Sequence, residues 1–236
     1  MLKSCTPAKP GKQVAITIEN NKLGAPVTLG IPFPKGELQS VDHVRLLTLD
    51  GKEIPCQTTE VTNWGPLDNS IKWAWVFFFA EEGSDYILEY GEDVVPMLPT
   101  EKIVSMNNMR PQGGIDVNTG PISFSIHKKG NGFLDEVYLD SNNDREFQED
   151  ELIATSPEKN RGSFLDLLDD AGVDSSKAVI NEVFREKGSG PMHSIFRVEG
   201  TYTYDRPDNN LSPFTLWLHA YAGKSYIKVL HTMTYT

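Results

Sequence analysis

The sequence predicts an all-β chain, and three observations carry that reading. Apolar residues alternate with polar ones at a period of two in several short segments, as in Val14, Ile16 and Ile18 between Gln13 and Glu19. The 19 Gly and 15 Pro of the 236 residues fall mostly between such segments, where they end strands and make turns. Only Gly162 to Asp170, with Phe164, Leu165, Leu167 and Leu168, fits a short helix or a loop packed on a sheet equally well.

The elements follow in order. Val44 to Leu49, then Asp50-Gly51, then Glu53-Ile54 reads as a hairpin, because Asp-Gly supplies the positive φ angles of a tight turn. Ile71 to Ala80 is apolar on both sides and is expected to be a central strand, with Trp73 and Trp75 in the core. Tyr86, Leu88 and Tyr90 alternate again before Gly91. From Val94 to Gly114 the pattern breaks at Pro96, Pro99, Pro111 and Gly113-Gly114, as in a connection between compact units. The expected organisation is therefore residues 1–94, a linker over 95–113, and a second unit over 114–236. In the second unit strands are expected around Ile122 to Ile126, Val179 to Phe184, Ser194 to Tyr204, Phe214 to Ala220 and Tyr226 to Tyr235.

Charge and composition exclude several functions. A net charge of −11 opposes binding to phosphate backbones, which needs a basic face, so nucleic acid is not an expected partner. The same charge repels a polyuronate unless basic residues cluster locally or a metal ion bridges the two. No apolar run approaches the roughly 20 residues of a membrane span. Cys5 and Cys56 fit neither a zinc spacing nor a disulfide framework, and they leave the redox compartment open. The five histidines show no metal-ligand spacing, and no Gly-x-Ser-x-Gly elbow or phosphate-cradling glycine loop is present.

Two groups of residues invite a functional reading. Asp140 to Glu151 has the spacing of a twelve-position calcium loop: Asp140, Asn142, Asp144 and Glu151 offer side-chain oxygens at positions one, three, five and twelve, and Glu146 offers its carbonyl at position seven. Arg145 stands where Gly usually makes the sharp turn, and Phe133 to Leu139 reads as a strand rather than a helix. The segment is thus either a calcium loop or an acidic, solvated hairpin loop. The second group is aromatic. Trp64, in the turn-rich stretch Asn63 to Pro66, is the candidate for stacking on a sugar; His219 and His231 lie in expected strands that could face a cleft, and Tyr221, just after the first of these strands, is a further candidate for substrate binding.

Several phrases together resemble one family. Gly30–Leu38 (GIPFPKGEL), Leu49–Gln57 (LDGKEIPCQ), Asn69–Trp73 (NSIKW) and Tyr86–Gly91 (YILEYG) are similar to the N-terminal small β-barrel of exo-rhamnogalacturonan lyase-like proteins. Thr119–Phe124 (TGPISF), Gly190–Tyr202 (GPMHSIFRVEGTY) and Ala220–Thr232 (AYAGKSYIKVLHT) are similar to the β-sandwich that follows it. The resemblance implies a small N-terminal β-barrel over 1–94 and an antiparallel β-sandwich over 114–236, incomplete because the chain ends in what reads as a strand. It also implies an exported, periplasmic or extracellular parent protein that acts on rhamnogalacturonan or a related uronate-containing polysaccharide or oligosaccharide. In that family a C-terminal helical toroid follows, and cleavage depends on it. No base, acid and charge-neutralising set can be matched here, so the expectation is a non-catalytic N-terminal portion of a lyase-like protein. The alternative is a stand-alone carbohydrate-binding β protein without activity.

Overall fold

A computed structural model describes residues 11–19, 22–81, 85–108, 113–128, 134–155, 166–169, 172–175, 177–203 and 212–234. The chain divides into two compact units, Met1–Thr100 and Glu101–Thr236. Both are built from antiparallel strands.

The first unit contains β1 (Lys12–Ile16), β2 (Pro26–Pro32), β3 (Val44–Thr48), β4 (Glu53–Ile54), β5 (Cys56–Gly65), β6 (Asp68–Phe79) and β7 (Tyr86–Tyr90). They form two sheets, in the orders β1-β7-β3-β4 and β2-β6-β5. The expected hairpin joins β3 to β4, with Gly51 at φ +85° and the Gly51 amide donating to the Thr48 carbonyl. Each strand turns alternate residues into one shared core, which contains Leu46, Leu88, Tyr86, Ile31, Phe33, Val76 and Phe78. On β7, Glu89 is buried beside Arg45 of β3, whose Nη2 lies 2.5 Å from the carboxylate. Cys56 packs against the core, and burial pushes its thiol up to about 11.

β6 is central, as the sequence reading requires, but its two faces differ. Ala74, Val76 and Phe78 are buried, whereas Trp73 and Trp75 are 38% and 43% exposed. The expectation that both tryptophans lie in the core is corrected: period-two alternation sends both indoles to the side away from Ala74, Val76 and Phe78, a side that is open at the two tryptophans but covered at Phe77, which is 3% exposed.

In the second unit a strand occupies part of the segment read as a linker, since β8 (Val104–Asn108) pairs with β9 (Gly114–Asn118). β10 (Ile122–His127), β11 (Leu134–Leu139) and β12 (Leu152–Ala154) complete a five-stranded sheet ordered β12-β11-β10-β9-β8. β13 (Asp166–Asp169) and β14 (Gly172–Ser175) form a separate pair. Of the segment left open between helix and loop, Asp166–Asp169 is therefore strand, and Gly162 to Leu165 and Asp170 lie outside the described residues. β15 (Lys177–Arg185), β16 (His193–Thr203), β17 (Ser212–Tyr221) and β18 (Ile227–Met233) form a four-stranded meander. Val117, Phe124 and Ile126 of the first sheet share one core with Phe196, Val198, Leu216 and Leu218 of the second, which makes a β-sandwich.

At the centre of the meander Gly200 faces Phe214, and a β-carbon there would lie 2.3 Å from Phe214 Cζ and 2.5 Å from the Val179 carbonyl oxygen. The glycine lets the Phe214 ring lie against the backbone of β16. Gly200→Ala is expected to destabilise the second unit by about 1–3 kcal/mol through overpacking. Chemical denaturation followed by near-ultraviolet circular dichroism measures this.

Candidate functional site

Pleat parity sets what the meander shows on its face away from the core. On β16 the even-numbered residues Phe196, Val198 and Tyr202 point inward, as do Phe214, Leu216 and Leu218 on β17. His193 lies opposite Tyr221, and Ile195 opposite His219, which in turn lies opposite Lys228 of β18. All five therefore share the outer face. His231 is opposite Leu216 and so belongs to the inner face, where its Nε2 lies 3.2 Å from the Tyr202 hydroxyl. The structure thus brings His219 and Tyr221 together and separates them from His231.

The rings form a ladder. The His193 ring runs nearly parallel to that of Tyr221, with centroids 4.9 Å apart and an interplanar angle of 13°, and lies edge to edge with His219, centroids 5.1 Å apart and 15° between planes. Tyr226, 44% exposed, continues the row 5.7 Å from Tyr221. His193 Nε2 and His219 Nδ1 are 2.9 Å apart, so one ring donates to the other, which must offer a free lone pair. Burial lowers the His193 pKa to about 4, and His219 and Lys228 push in the same direction. Burial, then Lys228, also lowers that of His219, and burial raises that of Tyr221. At neutral pH the cluster presents uncharged imidazoles and phenols beside one ammonium group. No carboxylate among the described residues pairs with Lys228, whereas nearby Arg197 is held by Glu186 and Glu199 and covers the Phe184 ring.

Sequence reasoning missed His193, Tyr226 and Lys228. The alternation within β16 and β17 was legible, but which residues oppose each other depends on where the strands turn, and residues 204–211, though rich in the turn formers Pro, Asp and Asn, are too long a connection to fix the register.

The acidic loop is held by its own backbone. The Asp140 carboxylate accepts from the amides of Asp144 and Arg145, at 3.2 and 3.1 Å. Asn142 Oδ1 accepts from the Asp144 amide, and Asp144 Oδ1 from the Glu146 amide. Buried Glu151 accepts from the amides of Ser141 and Gln148, which hold its carboxyl below the usual range. Asn143 and Arg145 adopt φ +62° and +66°, so Arg145 takes the left-handed turn that glycine usually supplies at that position. Among the described residues no three His, Cys, Asp or Glu side chains converge as a metal-holding group. A shallow cleft of about 270 Å³ lies beside the loop, lined by Glu101, Asp140, Asn143 and Arg145 among others, and Arg145 pairs with Glu101 at 3.0 Å.

Trp64 is in the first unit, 40% exposed, with its Nε1 donating to the Phe33 carbonyl and the Lys72 ammonium 4.9 Å from its ring centroid.

The lowered His193 pKa has a consequence for stability. An unfolded histidine titrates near 6.5, so as pH falls the unfolded chain binds the proton first. The contribution of the neutral ring is complete above about 6.5 and is lost as pH falls toward about 4, the folded value. His193→Phe is expected to flatten that part of the stability–pH curve, by on the order of 2 kcal/mol after allowing for solvent screening. Lys228→Met is expected to raise the pKa of both imidazoles, read by NMR titration.

No helix among the described residues is long and apolar enough to cross a membrane. Residues 104–236 match the PcRGLX-like protein central beta sandwich domain, and residues 15–86 the PcRGLX-like N-terminal RIFT barrel domain. The chain is also 28% identical, over 214 residues, to the uncharacterized protein YetA of Bacillus subtilis (strain 168). That match covers 89% of this chain and 23% of the relative's length. Barrel and sandwich occur here in the order of those two domains, and the chain belongs to the PcRGLX-like family.

Proposed function

We propose that this chain is the non-catalytic, substrate-contacting portion of a polysaccharide lyase-like protein, and that its sandwich unit binds uronate-containing saccharides such as rhamnogalacturonan. The observation that carries the reading is the outer face of the meander, where Lys228 lacks a carboxylate partner among the described residues and stands beside His193, His219, Tyr221 and Tyr226. An ammonium among uncharged donors offers a carboxylate a local positive field in a chain whose net charge would otherwise repel it. Stacked rings with polar edges suit a pyranose, whose carbon–hydrogen face is apolar and whose rim is hydroxylated.

Cleavage in this proposal depends on a helical toroid in the remainder of a longer protein, and the length of the B. subtilis relative supports such a remainder. Export to the periplasm or cell exterior is part of the proposal, because polymeric pectic substrates lie outside the cell. The acidic loop enters it as a calcium-stiffened element: Asp140, Asn142, Asp144, Glu146 and Glu151 would supply oxygens, and the ion would relieve repulsion among the carboxylates.

Isothermal titration with trigalacturonate tests the first part. Binding is expected, with a loss of about ten-fold in Lys228→Met, the scale of one charge-assisted contact. Undiminished binding in Lys228→Met together with His219→Ala and Tyr221→Ala would remove the site from this face. The chain alone is expected to release no unsaturated uronate, followed by ultraviolet absorbance. For the loop, calcium at about 100 times Kd is expected to add roughly 2.7 kcal/mol of stability, absent with magnesium and in Asp140→Ala and Asp144→Ala. An unchanged melting temperature in calcium would discard the ion.

A further inference from the structure

The exposed face of β6 differs from the rest of this acidic chain. Trp73 and Trp75 are separated by one residue and point the same way, so their attachment points lie about 6.6 Å apart along the strand. Directly across from Trp73 are Pro32 and Thr62, and across from Trp75 are Gly30 and Thr59. The next pair along, Thr28 and Gln57, flanks Phe77, which like Gln57 is buried, so the exposed aromatic row consists of the two indoles. None of these six neighbours carries a charge.

Gly30 makes the arrangement specific. A β-carbon at that position would lie 2.7 Å from Trp73 Nε1 and 2.8 Å from its Cζ2, so the indole occupies the space that any other residue would fill. Trp73 is thereby laid against the backbone of β2, with little freedom left to lose on binding. A preset indole beside a second one, rimmed by threonine hydroxyls, complements a ligand that is apolar on one face, hydroxylated at its edge and uncharged. The absence of charge disfavours an ionic partner, and the hydroxyl rim disfavours a purely apolar one.

We propose that Trp73 and Trp75 form a stacking platform for an uncharged oligosaccharide, distinct from the uronate-directed face of the sandwich unit. The inference rests on the carbohydrate-directed reading of the chain but uses none of the same residues. Binding places the carbon–hydrogen faces of successive pyranoses on the two indoles, while Thr59 and Thr62 lie within the hydroxyl rim.

The test uses the whole chain and neutral tetrasaccharides (galacto-, gluco-, manno- and xylo-), with trigalacturonate as the acidic comparison. Indole NMR signals, assigned by single Trp→Phe variants, are expected to shift for Trp73 and Trp75 and to stay fixed for Trp217. Trp73→Ala and Trp75→Ala are each expected to weaken neutral binding about ten-fold, the scale of a buried tryptophan anchor. Gly30→Ala keeps both indoles but displaces the first, and a comparable loss is expected in it, with thermal melts confirming that each variant folds. Lys228→Met is expected to leave neutral binding unchanged. If no neutral tetrasaccharide binds while trigalacturonate does, this inference falls and the uronate reading stands. If neither ligand binds, both fall. Self-association that Trp75→Ala abolishes would make the face a contact between copies and would also overturn the proposal.

Discussion

The parity of the β-pleat is the constraint on which the rest depends. A sheet that buries one face must send every second residue to the other, and nothing in the strand interior can escape that assignment without a bulge. In β16 and β17 the core claims Phe196, Val198, Leu216 and Leu218, and His193, His219 and Tyr221 are thereby committed to the open side. The same rule in β6 turns Ala74, Val76 and Phe78 into the core and Trp73, Trp75 and Phe77 to the other side, where the two indoles are exposed and Phe77 is covered. Core packing and surface chemistry are thus one decision written on alternate residues.

Electrostatics then distinguishes the two surfaces. On the sandwich face, burial keeps imidazoles uncharged next to the Lys228 ammonium, which has no carboxylate partner among the described residues, while the guanidinium of Arg197 is paired with Glu186 and Glu199. On the barrel face, charge is absent from the cross-strand neighbours of both tryptophans. An acidic chain achieves local contrast by pairing or excluding charges rather than by accumulating positive ones.

The positions of many strands were legible because turn chemistry and alternation agree locally, as at Asp50-Gly51 and along Tyr86 to Tyr90, but their order within the sheets was not. Nor were two further kinds of information. Trp73 and Trp75 sit in a run that reads as buried on both sides, and only the partner sheet decides which side is covered. His193 and Lys228 belong to the cluster through cross-strand register, a non-local quantity that single-strand patterns do not contain. The acidic loop was legible as spacing, yet the left-handed Arg145 shows that a residue type counted against a turn can still adopt it when Asp140 and Asp144 accept the surrounding amides.

Cys56 carries a consequence of another kind. Thiol–disulfide exchange proceeds through the thiolate, and a thiol titrating at about 11 holds only a few parts in ten thousand or less in that form near neutrality. Packing at the start of β5 therefore slows exchange of this sulfur with small disulfides, although the stronger nucleophilicity of a high-pKa thiolate offsets part of that loss. The first unit thus carries a free cysteine whose own packing slows its exchange with whatever thiols and disulfides surround it.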